Sequence, residues 1–594
     1  MRLLTVVLIG VTFSAHAKDW DVVQAGAVGD GKTDCTVVFQ RVMDDALKDG
    51  GGIVNVPSGE YCIRGTLKIP GGVTLQGTFR TAPSNDHETR PRMDGSVLLA
   101  YAGRGSQEGT PLITMAGSNA TLAGFIVTYP EWKQSDAPPV PYPPTIYADY
   151  TANIGVLDCC FLNSYEAIHF QNAARFLVRN IHGYPSFRGL YIDNCCDIGR
   201  VENCHFWPFG VAYKPDDPYC FWVNTNGVAF EFARTDWQYV INTFCFGYGV
   251  GYKFSESKNG SCNGNFVGIG ADSCRRPVLV EQSQFPGLLI TNGEFVGRWT
   301  STDSAGIEIT EKATAGKVSL SNCSFWGPID RCIWNRSAKT QLTVIGTNFF
   351  QWDIDTKGSP AVQLDAGKAI VQGNTFGEGE THVRVGPNVV SAILMGNQAA
   401  DGFVVDNQAG DRTQCIGNEV SAIGMMSEKA KAHYRVSIGS DGDRPFVWKW
   451  GGREKGAEWP NEPCMKRWSS RESVLRLPVL PKKTYTLAME IFQPKHAIDP
   501  ENGLYLDGAR IAEFPQQEGP TTITAKIPRT KDREVVIQVR AKTWTPKDIV
   551  PNNTDTRSLG IAVRSVVMQA KGADARQIYD VNQGQGDELT KGGQ

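Results

Sequence analysis

The sequence predicts an all-β protein: a right-handed parallel β-helix with an N-terminal capping helix, followed by an antiparallel β-sandwich. Three observations carry this. A phrase recurs from about residue 150 to 420: a short strand-like run, a break, a second run, an Asn or Gly, and usually a Phe two or three residues later. Gly189–Asp193 is followed by Arg200–Phe206, Gly306–Thr310 by Ser319–Phe325, and Ala361–Asp365 by Ile370–Phe376. The period is roughly 20–25 residues, which signals a solenoid whose copies bury their apolar faces only by stacking. Before the repeat lies one helical stretch. After it, longer alternating runs read as half-buried strands.

The elements follow in order. Residues 1–17 have the form of a secretory signal: Arg2, apolar Leu3–Val11, and Ala15-His16-Ala17 as a small-x-small cleavage site. The apolar part is too short to span a bilayer, so an exported, secreted or periplasmic protein is expected. Asp34 or Thr36 can cap a helix starting near Val37, with Val38, Phe39, Val42, Met43, Ala46 and Leu47 at helical spacing and Gly50-Gly51-Gly52 as its stop. Ile53–Pro57 and Val73–Gly77 read as strands. A helix here covers the apolar end of the first coil and blocks edge-to-edge association.

Gly26–Asp34, the helix, Gly51–Tyr61 and Gly72–Gly77 together resemble the opening of the pectate lyase superfamily, of the rhamnogalacturonase- and epimerase-like type. The resemblance implies a right-handed β-helix over residues 18–425 that acts on, or binds, carbohydrate polymers. The opening motif is a structural cap and does not choose a reaction. The polygalacturonase signatures are not present as a set: Asp216-Asp217 lies in a long loop and Asn553-Thr554-Asp555 in the C-terminal part. No calcium-pectate-lyase signature is found.

Pro- and charge-rich loops at 81–94 and 131–144 are expected to wall a groove. Near residue 425 the repeat stops. Tyr485–Ile491, Thr521–Ile527 and Val535–Val539 mark a sandwich over 433–570 that resembles accessory jelly-roll domains of secreted carbohydrate-active enzymes. The polar tail, 571–594, is expected to be mobile.

Composition narrows function. Charged residues are 20% and the net charge is -3, which argues against a nucleic-acid footprint. The 15 Cys do not show the spacing of a zinc site. Cys159, Cys160, Cys195, Cys204 and Cys323 fall inside the repeat as small apolar residues, and Cys35 and Cys62 are candidates to pair. The expected partner is a polysaccharide, with no nucleic acid, membrane insertion, metal or cofactor.

Aligning the copies places one outward residue per coil in a column: Gln171, Asp193, Glu231, Lys253, Glu281, Thr310, Asn335, Asp365. Neighbouring carboxyls with a cation beside them split into an acid and a base, as glycoside hydrolysis requires. The catalytic candidates are Asp193, Glu231, Asp236, Arg234 and His205. Trp207, Asp216, Asp217, Tyr219, Trp222, Trp237 and Glu256 are candidates for binding sugar, because aromatic faces stack on sugar rings and Arg grips carboxylates. Arg275, Arg276 and Arg298 add cations further along, while His169 and His182 carry weaker signals. The leading expectation is a glycoside hydrolase. The alternatives are a polysaccharide lyase acting on a uronate polymer, with Arg234 or His205 as base or neutraliser, and a non-catalytic adhesion protein resembling a tailspike.

Overall fold

Helix α1, Thr36–Lys48, buries Phe39, Val42, Met43 and Ala46 and packs against the first strands of the chain. Asp34 accepts from the Thr36 amide at its start, and Gly50 and Gly51, at φ 97° and 101°, turn the chain away after its end. In this computed structural model the described residues are 20–81, 94–298, 303–377, 379, 381–399, 402–419, 426–440, 442–456, 458–459, 464–551 and 553–581. The signal-like segment, most of the 81–94 loop and residues 582–594 of the tail lie outside them. No described helix is long and apolar enough to cross a membrane.

The chain divides into two compact units. In the first, which spans residues 1–370 with 386–391, the described residues form a parallel β-helix whose coils contribute to three stacked parallel sheets. One coil shows the plan. Gly155–Leu157 lies in the first sheet and Cys159–Phe161 in the second, with a bend at Asp158 between them. Glu166–Ala174 lies in the third sheet, and Leu177 then re-enters the first.

The repeated Asn or Gly is this bend. Asp158, Asn180, Asn203, Asn242, Gly268, Asn292, Asn322 and Gly346 all have φ between 51° and 62°. Only Gly, and the short polar Asn and Asp, take this left-handed conformation readily. The side chains also bond rung to rung: Asn180 Nδ2 donates to Asp158 Oδ1 at 2.8 Å, and Asn322 Nδ2 to Asn292 Oδ1 at 2.7 Å. Three residues on, the chain points inward, and Phe295, Phe325 and Phe349 stack at ring distances of 5.3 and 5.2 Å. Cys159, Cys160, Cys195, Cys204 and Cys323 are buried, as small apolar fillers. Cys35 and Cys62 do not pair; each is a free thiol.

The second unit, residues 371–385 with 392–594, holds parallel strands up to Thr413–Ile416 and then a mainly antiparallel assembly, in which His433–Ser437 and Tyr579–Asp580 run parallel. The expected strands are there as Tyr485–Gln493, Gly519–Ile527 and Glu534–Arg540. Hydrogen bonds join ten described strands into one sheet, because Cys464–Pro478 and Ala562–Ala570 each pair with several others. Their alternating residues share one core around Leu487, Met489, Ile537, Val566 and Met568.

Candidate functional site

The third sheet presents its outward residues as a ladder. The register runs Tyr147, His169, Tyr191, Glu231, Lys253, Leu279, Glu308, Trp334, Gln363. Parallel stacking brings each of these side chains about 4.8 Å from the next rung, so groups far apart in sequence are forced together.

The first two rungs and their neighbours form a cleft of about 590 Å³, lined by Tyr147, Glu166, His169, Arg188 and residues of the 107–111 segment; Tyr191, the third rung, packs against His169 and Arg188. Glu166 sits at the base of the cleft, 1% exposed. Its Oε1 is 3.1 Å from His169 Nδ1 and accepts from Arg188 Nε at 3.0 Å. Burial raises the Glu166 carboxyl, but the His169 hydrogen bond and the Arg188 charge outweigh it and hold the group below the usual range. The carboxylate therefore fixes the imidazole with its proton at Nδ1. Nε2 has no hydrogen-bond partner and is buried, and the imidazole packs edge-to-face with the Tyr147 and Tyr191 rings, centroids 5.3 and 4.8 Å away. A buried bare acceptor costs about 1–3 kcal/mol, which a bound donor would offset.

Arg188 bridges Glu166 and Glu231, donating Nη1 to Glu231 Oε2 at 3.0 Å. Burial opposes its charge, but the two carboxylates overcome this and raise its pKa. Its guanidinium lies 4.1 Å over the Tyr191 ring and 5.3 Å over Phe187, which stacks on Tyr165 at 5.0 Å. The Tyr191 hydroxyl is pushed up to about 12 by burial and by Asp193 and Glu231. The Tyr147 hydroxyl is also raised, by burial and Asp149. Beyond Glu231 the charges alternate: Lys253 lies 3.2 Å from Glu231 and 3.6 Å from Glu281, which meets Lys312 at 3.1 Å.

The expected residues fall in several places. Glu231 belongs to this ladder, but Asp193 is not its rung neighbour: Glu231 pairs with Tyr191, and Asp193 with Gln171. Asp193 Oδ1 accepts from the Arg234 amide at 3.2 Å and Ser257 Oγ at 2.7 Å, and Oδ2 from Asn259 Nδ2 at 3.1 Å. It ties together the turns of later coils. Lys253 is followed by Leu279, not Glu281, and Asn335 points inward, fully buried.

Arg234 is paired with Asp236, which also accepts from Asn263 Nδ2 at 3.2 Å and Gln284 Nε2 at 2.9 Å. The Arg234 bond holds the Asp236 carboxyl below its ordinary value. His205 lies in the second sheet, not the third. It packs against Phe244, Phe209, Trp207 and His182 at ring distances of 5.3, 5.5, 6.0 and 6.3 Å. Burial lowers its pKa and takes that of His182 down to about 4.

The long insertion is a packing element. Its helix α2, Pro218–Asn226, is capped by Asp217, which accepts from the Tyr219 and Cys220 amides at 3.1 Å. Tyr219 is fully buried, its hydroxyl raised by that burial, and accepts from Trp132 Nε1 at 3.2 Å. Trp207 packs on Phe246 at 4.6 Å. Trp222 is half-buried, its ring 6.5 Å from Tyr165. Asp216, Trp237 and Glu256 are exposed. Arg276 is paired with Glu308 and Asp303, and Arg298 donates to the Asn224 carbonyl at 3.0 Å.

Tyr147, Glu166 and Arg188 line the cleft and Tyr191 packs beside Arg188, and none of the four was singled out from the sequence. The available signal was His169 one rung from a Tyr on either side. Among the described residues no group of three or more His, Cys, Asp or Glu could hold a metal ion.

A capping helix and coils in three parallel sheets define a parallel β-helix, and residues 20–105 match the family described as rhamnogalacturonase A/epimerase, pectate lyase-like. The chain's particular relatives are similar over short segments. Mannuronan C5-epimerase AlgE1 of Azotobacter vinelandii is 31% identical over 117 residues, 18% of this chain and 8% of the relative. Alginate lyase 7 of the same organism is 51% identical over 57 residues, 10% of this chain and 7% of the relative. The chain thus matches less than a tenth of either relative's length. Among solved structures, the A-module of the Azotobacter vinelandii epimerase AlgE6 aligns with 68% of this chain and 99% of its own, at 16% identity and a TM-score of 0.41.

Proposed function

We propose that this protein modifies a uronate-containing polysaccharide by removing the proton beside the sugar carboxylate, as a lyase or a C5-epimerase. The observation that carries this is the His169–Glu166–Arg188 constellation: an imidazole bonded at one nitrogen and bare at the other, beside a guanidinium. The reaction needs both groups. A proton next to a carboxylate is weakly acidic until that carboxylate's charge is neutralised, and Arg188 is the group for that task. His169 Nε2 then takes the C5 proton. Tyr191, protonated at neutral pH with its hydroxyl raised to about 12, gives a proton to the departing O4. The electron pair of the C5–H bond becomes the C4–C5 double bond as the C4–O4 bond breaks. An epimerase instead returns a proton to the opposite face of C5, leaving O4 in place.

The names of the relatives, mannuronan epimerases and an alginate lyase, support a uronate polymer and favour this reading over the glycoside hydrolase expected first. The placement of Asp193 and Glu231 also favours it, since Asp193 is bound by Ser257 and Asn259, Glu231 by Arg188 and Lys253, and the two are not rung neighbours. The test is incubation with neutral, uronic and sulfated polysaccharides in deuterated water. Ultraviolet absorbance with new chain ends identifies the lyase, and deuterium at C5 without absorbance the epimerase. Reducing ends with neither would restore the hydrolase and refute the proposal.

A further inference from the structure

The antiparallel sheet of the second unit carries a cleft of about 470 Å³ that the chemistry above does not use. It lies beside the end of the strand Glu534–Arg540, where Arg540 is in register with Glu472 on one neighbour and Gly503 on the other. Its walls are fixed by a buried side chain. Asn502, 2% exposed, accepts from the Lys542 amide at 2.7 Å and donates Nδ2 to the Ala497 carbonyl at 2.6 Å. The Ala541 amide donates to Arg471 O at 3.1 Å, and Tyr505 donates its hydroxyl to Glu501 O at 2.8 Å. A ligand entering here would find the loops already placed, so little of its binding energy goes to ordering them.

The lining selects a chemistry. Arg540 lies 4.3 Å over the Tyr505 ring and donates Nη2 to Gln538 at 2.9 Å. Its buried Nε has no hydrogen bond, with Glu472 Oε1 3.6 Å away. Arg471 and Lys542 add cations, and Glu472, Asp499 and Glu501 add carboxylates. A polyanion such as a nucleic acid would meet those carboxylates, and a bare metal ion would meet the basic groups. A sugar ring bearing one carboxylate satisfies both: its hydroxyls donate to the acidic side chains and its carboxylate accepts from Arg540.

We infer that this cleft is a second saccharide site, taking a uronate-bearing chain and separate from the cleft around His169. The choice of a uronate rests on the function proposed above. The full chain is run through native gels cast with a polyuronate or with a neutral glucan, with His169→Ala present to stop turnover. The polyuronate alone should retard it. Arg540→Gln should weaken retardation roughly ten- to a hundredfold, as expected for losing a charge-assisted contact. Lys542→Gln, which leaves the Arg540–Tyr505 packing untouched, should weaken it less, and both substitutions, made in the chain with native His169, should keep turnover on short uronate oligomers. Undiminished retardation in both variants, or equal retardation by the glucan, overturns the inference. Retardation that depends on Arg540, when the protein with native His169 shows no turnover of uronates, would leave this site standing and refute the proposed reaction.

Discussion

Glu166→Gln removes one charge from the base of the cleft and changes almost no volume. The native carboxylate takes one charge-assisted hydrogen bond from Arg188 and faces the Nδ1 of His169. Such bonds contribute about 1.5–3 kcal/mol each, and stripping one partner from a buried ion pair costs about 3–5 kcal/mol. The amide keeps one acceptor and Arg188 keeps Glu231, so the expected loss is about 2–4 kcal/mol in urea unfolding. Turnover should fall further, because the imidazole is no longer held with its proton at Nδ1; roughly a hundredfold or more in kcat, with little change in KM, is the scale for a misdirected general base. Acidity gives a second signature. The folded pKa of Glu166 lies below its ordinary 4.5, so between the two values the unfolded chain binds a proton that the folded chain does not. The stabilisation is complete above 4.5 and is lost as pH falls through the folded value. The variant lacks this component, and its acid limb should be shallower. Wild-type turnover together with an unchanged acid limb would refute the role given to Glu166.

Other expectations follow from the same geometry. Glu231→Gln leaves Arg188 paired with Glu166 and Lys253 with Glu281, so turnover should drop by no more than about tenfold; complete loss would point back to a hydrolytic carboxylate. His182 has a folded pKa of about 4 against an ordinary 6.5, so its contribution is whole above 6.5 and is lost on acidification toward 4, to the extent of about 3 kcal/mol. His182→Gln should reduce the slope of stability against pH in that window, measured by urea midpoints. At the bend, Asn322→Ala should cost about 1–2 kcal/mol in thermal unfolding, and Asn322→Gly clearly less, since only the side-chain bond is lost.

The bends were legible in the sequence because the same position of successive coils is left-handed, and few residue types accept that conformation readily. Asn203, Asn322 and Gly346 therefore advertise the phase of the coil directly. The column of outward residues was legible in part. The steps from Gln171 to Asp193 and from Glu231 to Lys253 agree with the register. The step from Asp193 to Glu231 slipped by two residues. A slip of two preserves the inward–outward alternation, so hydrophobic pattern cannot detect it, and the insertion before residue 228 removed the spacing that would have. That slip hid Tyr191, the true rung neighbour of Glu231, and with it Arg188, which lines the cleft. Glu166 was hidden for another reason: its role depends on Arg188, 22 residues away, and no local pattern records that contact. The aromatic insertion misled because Trp and Tyr suit sugar stacking and core packing equally well, and burial decides between them.

The left-handed bends have an evolutionary consequence. Each carries the information that closes its own turn, so a stretch from one bend to the next, such as Asn292 to Asn322, is a self-contained module of heredity. Its tandem duplication in frame would lengthen the molecule by one turn, and its deletion would shorten it, with each flanking bend still in phase. The working face can thus be resized by recombination in single steps, without passing through a misfolded ancestor.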